Sequence, residues 1–374
     1  MYLFKLVSLL GIALLLVGCS GGPGIGSRTA APGPLDRDEA AFLHAMKPQR
    51  VGKPVVVVLA RNEATETTDF LLTHAVLQRS GVVDLHAIAP ERGRVSLYPV
   101  LDVEVREDFA GFARAYPGGA DYVIVPAMQY EKDGDPAVTS WLRKQASLGA
   151  RIIGVCAGAL VVGSAGILED RKVTTHWYFL EKLLERHPRA TYVPNRRYVV
   201  DRGVATTTGI TASVPTMLAL VEAIGGRARA TELAHELGVA SWGPGHDSSA
   251  FGLSLERAAR YLLAKAAFWR HERAAIDVGD GVDDVALALV ADAWARTGHV
   301  AVEAASPSGP VKLRSGLTLL ARPVSPGIRR LSLDASRKPV QQLDRALEQI
   351  EAYFGRPRRQ WVQMELEYPS AMNP

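Results

Sequence analysis

Residues 151–163, RIIGVCAGALVVG, decide how the rest of the chain is read. Ile152, Ile153 and Val155 make an apolar strand that runs into the turn Gly154-Val155-Cys156-Ala157-Gly158, and Ala159-Leu160-Val161-Val162 begins a helix directly after it. This is the cysteine form of the Gly-x-Ser-x-Gly nucleophile elbow, in which a tight strand-to-helix turn projects the reactive side chain at the carboxyl end of a strand. The flanking glycines allow strand and helix to approach closely. The positive helix end and its unpaired N–H groups favour a thiolate at Cys156. The Ala157 amide is placed to serve an oxyanion hole. A buried structural cysteine in a glycine turn fits the same residues, so the neighbourhood has to decide between the two.

Working outward, residues 55–60 (VVVVLA) form a continuous apolar run, as expected of a strand covered on both faces. Residues 85–89, 122–125 and 151–155 read as further strands. Helical spacing falls between them at 66–79 and 137–148, and beyond them at 177–186 and 211–224. Strands alternating with helices imply a parallel sheet between helical layers, with a first domain over about 51–272. Twenty residues past the cysteine, His176 follows Thr174-Thr175 at a helix start, where it can act as general acid or base or pair with a thiolate. Glu66 and Asp69, in the first helical turn after the opening strand, can bring a carboxylate to the same sheet end, and both also suit the ordinary role of helix N-terminal acids. His246-Asp247-Ser248 reads as a solvated loop, since adjacency in sequence is not triad geometry.

The balance of 43 basic against 39 acidic residues leaves +4, spread along the chain, which argues against a nucleic-acid groove. Two cysteines exclude a disulfide framework and a Cys-rich zinc module. No histidine pair has metal-ligand spacing and no glycine-rich phosphate loop occurs, so neither metal nor cofactor is expected. Residues 1–18 carry one charge, Lys5, then an apolar run too short to span a bilayer, which suits a signal peptide. The run ends in Leu16-Val17-Gly18-Cys19, similar to the lipobox of bacterial lipoproteins, where Cys19 would take the lipid. Ser20 after it favours an outer-membrane address facing the periplasm. Residues 19–50 would then hold the lipidated cysteine and a flexible tether, Gly/Pro-rich over 20–34.

Residues 277–281 read as a linker, without the ligand order of a calcium loop. The segment 273–374 beyond it carries a faint echo of the first domain. DFLLTHAVLQRSG (69–81) compares with ALALVADAWARTG (286–298), residues 85–90 with 302–307, and 94–97 with 310–313. We read a partial, degenerate repeat that never reaches a second cysteine turn.

The stretch GVCAGALVVGSAGILEDRKVTTHW (154–177), with VATTTGITASVPTMLALVEAIGG (204–226), resembles the ThiJ/PfpI family of the class I glutamine-amidotransferase-like superfamily. Its nearest likeness is to the isonitrile-hydratase branch and to the amidotransferase-like domain of AraC-type regulators. The resemblance covers roughly 53–226. It implies a flavodoxin-like α/β/α sandwich with Cys156 as nucleophile, His176 as its neighbour, and an acidic partner at Asp69 or at Glu66. The chain departs from the family pattern at Pro126-Ala127-Met128, where a glycine amide usually serves the oxyanion and Ala127 or Met128 would have to supply the N–H. It departs again at Pro215, where the family often has Asp. The expected activity is Cys-dependent hydration or hydrolysis of a small electrophilic carbon (isonitrile, aldehyde or amide-like). The alternative is a non-catalytic ligand-binding sensor or a thiol-based stress-protection protein of the cell envelope. A DNA-binding regulator is not expected. Relatives commonly form homodimers with cysteine sites near the interface, a surface the repeat at 281–325 would partly cover.

Overall fold

A computed structural model describes residues 36–129, 134–252, 272–323 and 327–368. Alternating burial along one strand sets the layers. In β1 (Val55–Leu59), Val56 and Val58 enter one apolar core while Val57 and Leu59 enter a second. Successive side chains of a strand point to opposite faces, so an unbroken apolar run is what a doubly covered strand requires.

The chain order begins with α1 (Arg37–Ala45), β1, β2 (Thr65–Glu66), α2 (Thr67–Ser80), β3 (Asp84–Ala89), β4 (Gly93–Tyr98), β5 (Asp102–Val105), β6 (Glu107–Asp108) and α3 (Phe109–Ala115). It continues with β7 (Tyr122–Val125), α4 (Pro136–Ser147), β8 (Arg151–Gly154), α5 (Gly158–Ser164), β9 (Lys172–Val173), α6 (Leu180–Arg186), β10 (Thr191–Tyr192), β11 (Tyr198–Asp201), β12 (Val204–Thr207), α7 (Ser213–Gly225) and α8 (Arg227–Leu237). After residue 271 come β13 (Glu272–Asp277), α9 (Asp284–Ala295), β14 (Val300–Ala305), β15 (Val311–Lys312), β16 (Thr318–Leu319), β17 (Arg329–Leu331), α10 (Gln342–Phe354) and α11 (Arg356–Leu366).

The main sheet has the order β11-β12-β8-β7-β1-β3-β6 and is parallel except for the β11–β12 pair. Phe112, Trp141, Leu142, Leu160 and Leu183 of α3 to α6 cover one face. Phe42, Phe70, Leu71, Met217 and Leu233 of α1, α2, α7 and α8 lie on the other. This is the flavodoxin-like α/β/α sandwich, and it puts β8 and its turn at the carboxyl edge of a central strand, the usual place for a ligand in an open α/β sheet.

Two boundaries differ from those expected. Helix α1 already packs on the domain before residue 50: the Asp36 side chain caps it, and Phe42 and Met46 are fully buried, Phe42 with its ring 4.6 Å from that of Tyr198. Burying an aromatic of this size contributes roughly 1.5–3 kcal/mol, enough to dock a short helix. The expected segment 273–374 is not separate either. Helix α9 is buried on nearly every side, and its Leu287, Val290 and Trp294 belong to the same core as α2 and α7. Residues 277–281 are therefore a turn inside one body. The apolar N-terminal run, Cys19 and the Gly/Pro-rich stretch lie outside the described residues. Among the described residues, no helix is long and apolar enough to cross a membrane.

Candidate active site

Strand β8 ends at Gly154, and Cys156 follows with φ +55°, left-handed backbone that costs a non-glycine residue about 1–2 kcal/mol. Two threonines hold it there. The Cys156 N–H donates to Oγ1 of Thr207 at 3.0 Å, and Oγ1 of Thr175 donates to the Cys156 carbonyl at 3.0 Å. The glycine after it is obligatory, since a Cβ at Gly158 would stand 2.0 Å from the Val125 carbonyl oxygen. The elbow is thus realised as the glycine spacing requires, but its cysteine is only 4% exposed.

Beside it lies a buried acid pair. Glu66 caps α2: its Oε2 accepts the Asp69 N–H at 2.6 Å and the Thr68 hydroxyl at 2.8 Å, and its Oε1 meets Nη2 of Arg296 at 2.7 Å. Oδ2 of Asp69 accepts the Ala127 N–H at 3.0 Å. Arg296 also binds Asp292 at 2.7 Å. One guanidinium among several buried carboxyl groups cannot balance them all, which raises the acids' affinity for protons. Burial, with the charge of Asp292 added and Arg296 opposing, pushes Glu66 up to about 7. Burial and then the charge of Glu66 hold Asp69 well above the usual carboxylate range.

The thiol feels the same surroundings. Burial, then the charges of Asp69, Glu66 and Glu367, push Cys156 well above the ordinary thiol value, against a smaller pull from the Ala157 N–H. The helix-end stabilisation of a thiolate expected from the motif is therefore outweighed. Ala157 does present its amide to the sulfur, whereas the Ala127 amide is occupied by Asp69 and Met128 forms a bridge with Thr65.

His176 sits in the site in a different role from the one expected. Its Nδ1 accepts the Tyr178 N–H at 3.2 Å and its Nε2 donates to the Glu365 carbonyl at 2.9 Å. Both ring nitrogens are engaged by backbone, and burial lowers its pKa, which suits a neutral ring that braces the C-terminal segment.

Sequence reasoning missed Glu367. This residue follows α11 with φ +50° and is buried; its carboxylate accepts the N–H groups of Trp177 at 2.7 Å and Gly209 at 2.8 Å, with Nε2 of His246 3.4 Å away. Thr211 donates to its carbonyl, and the Trp177 indole N–H to that of Met364. Gly209 must lack a side chain, because a Cβ there would lie 2.8 Å from Glu367 and from His176. A carboxylate nearly two hundred residues downstream, in no motif, carries no local signal. His246, expected in a solvated loop, is instead mostly buried and stacks on Phe251. Glu367, Thr175, Trp177, Tyr178 and His246 help line an open cleft of about 940 Å³ that stops short of the cysteine. Among the described residues, no group of three or more His, Cys, Asp or Glu is placed to hold a metal.

Residues 53–223 match the DJ-1/PfpI family. Over 129 residues, 34% of this chain and 47% of the relative, it is 34% identical to the isonitrile hydratase of Pseudomonas putida. Over 86 residues, 23% of this chain and 25% of the relative, it is 34% identical to the HTH-type transcriptional regulator CdhR of Pseudomonas aeruginosa. The chain spans about half or less of the length of these curated relatives. Among solved structures, DJ-1beta of Drosophila melanogaster superposes with a TM-score of 0.45 at 21% identity, over 50% of this chain and 99% of that one. The DJ-1/PfpI match ends at residue 223, so α9 and α11, which bring Arg296 and Glu367 to the site, lie beyond it.

Proposed function

We propose that the protein is a Cys156-dependent hydratase or hydrolase of small uncharged electrophiles, with isonitriles the foremost class. The observation that carries this reading is the buried Asp69–Glu66 pair, whose proton affinity burial raises, next to a cysteine held in an elbow. A neutral carboxylic acid beside a nucleophile is a proton donor at working pH. For an isonitrile, Sγ would attack the terminal carbon while the thiol proton, relayed through Asp69, is delivered to the same carbon. This forms C–S and C–H bonds and leaves a thioimidate C=N. Water then adds across that bond, its hydroxyl to carbon and its proton to nitrogen. Cleavage of C–S returns a proton to sulfur and releases an N-substituted formamide, so atoms and charge balance. The Ala157 amide supports charge at sulfur, and His176 holds the C-terminal segment in place.

The identity to an isonitrile hydratase supports this substrate class. The test is turnover of a panel of small isonitriles and aldehydes by wild type, Cys156→Ala and Asp69→Asn, with intact-mass detection of the adduct on Cys156. Formamide formed by wild type and abolished by both substitutions is expected; formation persisting in Cys156→Ala would end the proposal.

A second reading, a ligand-binding sensor, is favoured by the 4% exposure of the thiol and by the cleft that Glu367 lines, which does not reach the cysteine. It predicts tight binding without turnover in the same panel. We also propose that Cys19 is lipidated and anchors the protein at the outer membrane facing the periplasm, supported by the apolar run ending in Leu16-Val17-Gly18-Cys19. Incorporation of labelled fatty acid that is lost in Cys19→Ala tests it.

A further inference from the structure

The stretch after residue 271 and the opening of the domain correspond in several particulars. The spacing that brings Gly81 onto Gly298 also brings helix α2 onto α9, the N-cap Glu66 onto the N-cap Asp283, and Arg79 onto Arg296. Each N-cap side chain accepts the N–H three residues on. The Ala60 N–H donates to Ile88 at the end of β1, and the Val278 N–H donates to Ala305 at the end of β13. The parallel Thr65–Leu97 pair has its counterpart in the Val282–Leu313 bridge. Val95 faces Val103 in the β4–β5 hairpin, and Val311 faces Leu319 in the β15–β16 hairpin.

The contacts between the copies are reciprocal. Val103 pairs with Leu319, its own counterpart, at the centre of an antiparallel β5–β16 contact that joins the two hairpins into one sheet. Arg79 of the first copy binds Asp283 at 3.0 Å and Asp284 at 2.7 Å at the start of α9, while Arg296 of the second binds Glu66 at 2.7 Å at the start of α2. A residue that contacts j while the equivalent of j contacts its own equivalent is the mark of an isologous two-fold interface.

We propose that residues 272–323 are a truncated second copy of the domain's opening, fused in cis where a two-fold-related subunit would sit, and that through it Arg296 acts as a positioning residue for the Glu66 carboxyl at the Cys156 site. The inference rests on the reading of that site as one built around Cys156 and its acids. The symmetry supplies its own control. Arg79 makes the same contact in the copy that has no cysteine turn, so it shares the structural role of Arg296 and none of the chemical one.

The groups facing Glu66 are Asp69 on its own helix, Asp292 and Arg296 on α9, Tyr98 on β4, Glu365 on α11 through Arg296, and Cys156. Of these Arg296 is the cation, and it opposes the rise in Glu66. The experiment is the pH dependence of iodoacetamide alkylation of Cys156 in the full chain, with thermal unfolding measured alongside. Wild type should show an inflection near pH 7 that Glu66→Gln removes. Arg296→Met should move it up by about one pH unit or more, a tenfold change in the protonation constant. Arg296→Lys should restore most of the shift. Arg79→Met should lower the melting temperature while leaving the inflection in place. Should Arg296→Met not fold, Arg296→Gln, which keeps an N–H donor without the charge, must show the same shift. An inflection unmoved in the Arg296 variants, or moved equally by Arg79→Met, overturns the assignment. Absence of any Glu66-dependent inflection in wild type overturns the reading of the Cys156 site itself, and the inference with it.

Discussion

Replacing Glu367 should open the cysteine to solvent reagents. In the folded protein its carboxylate accepts two backbone N–H groups, from Trp177 and Gly209, at 2.7 and 2.8 Å. Hydrogen bonds to a buried charge are worth about 1.5–3 kcal/mol each, so Glu367→Ala forfeits at least about 3 kcal/mol of the docking of the segment after α11. At roughly 1.4 kcal/mol per factor of ten, the open population rises about a hundredfold or more. Glu367→Gln keeps one acceptor and should rise by about tenfold. Both changes remove a charge that raises the thiol pKa, so the difference between them isolates docking from electrostatics. The assay is native-state alkylation of Cys156 at pH 8, followed by intact mass under conditions where the rate tracks the open population. Alkylation of Glu367→Ala at the wild-type rate, in a protein that still unfolds cooperatively, would refute the idea that this segment closes the site.

Two further outcomes follow from the geometry. Gly158→Ala places a methyl group 2.0 Å from the Val125 carbonyl, so it should destabilise the chain by about 1–3 kcal/mol or more and lower the melting temperature. Glu66 binds a proton more tightly folded, at about 7, than unfolded, near 4.5. Its stabilising contribution is therefore complete below pH 4.5 and is lost as pH rises through 7, by roughly 3 kcal/mol in all. His74, lowered to about 4 by burial, acts in the opposite sense, its contribution being lost as pH falls. The quantity to measure is thus the stability of wild type relative to Glu66→Gln in urea unfolding from pH 5 to 8, which should fall with rising pH if Glu66 is the group responsible.

The elbow was legible because its requirements are local: an apolar strand, glycines where backbone crowds backbone, and a helix after them. The strands were legible for a related reason. A run such as Val55–Leu59 has to be apolar on both faces, and each such run became a strand of the main sheet. The acid pair was legible as alternatives, Asp69 or Glu66, and the structure buries both together, the Glu66 side chain accepting the Asp69 N–H. What stayed hidden arrives from far along the chain. The Glu365 carbonyl takes one nitrogen of His176, which no reading of Thr174-Thr175-His176 reveals. Glu367 and Arg296 reach the site only through packing of α11 and α9 on the first domain. The repeat proposed above is visible in sequence only as the faint echo between residues 69–81 and 286–298. Its symmetry could not be read from sequence, because it resides in which residue faces which.

We propose that the buried Asp69 carboxyl beside Cys156 keeps its proton near neutral pH. Infrared difference spectroscopy at pH 7, comparing wild type with Asp69→Asn in the folded full chain, tests it most directly. The account predicts a protonated-carboxyl C=O band in wild type that is missing from Asp69→Asn. A wild-type spectrum at pH 7 in which Asp69 contributes only carboxylate bands would contradict it.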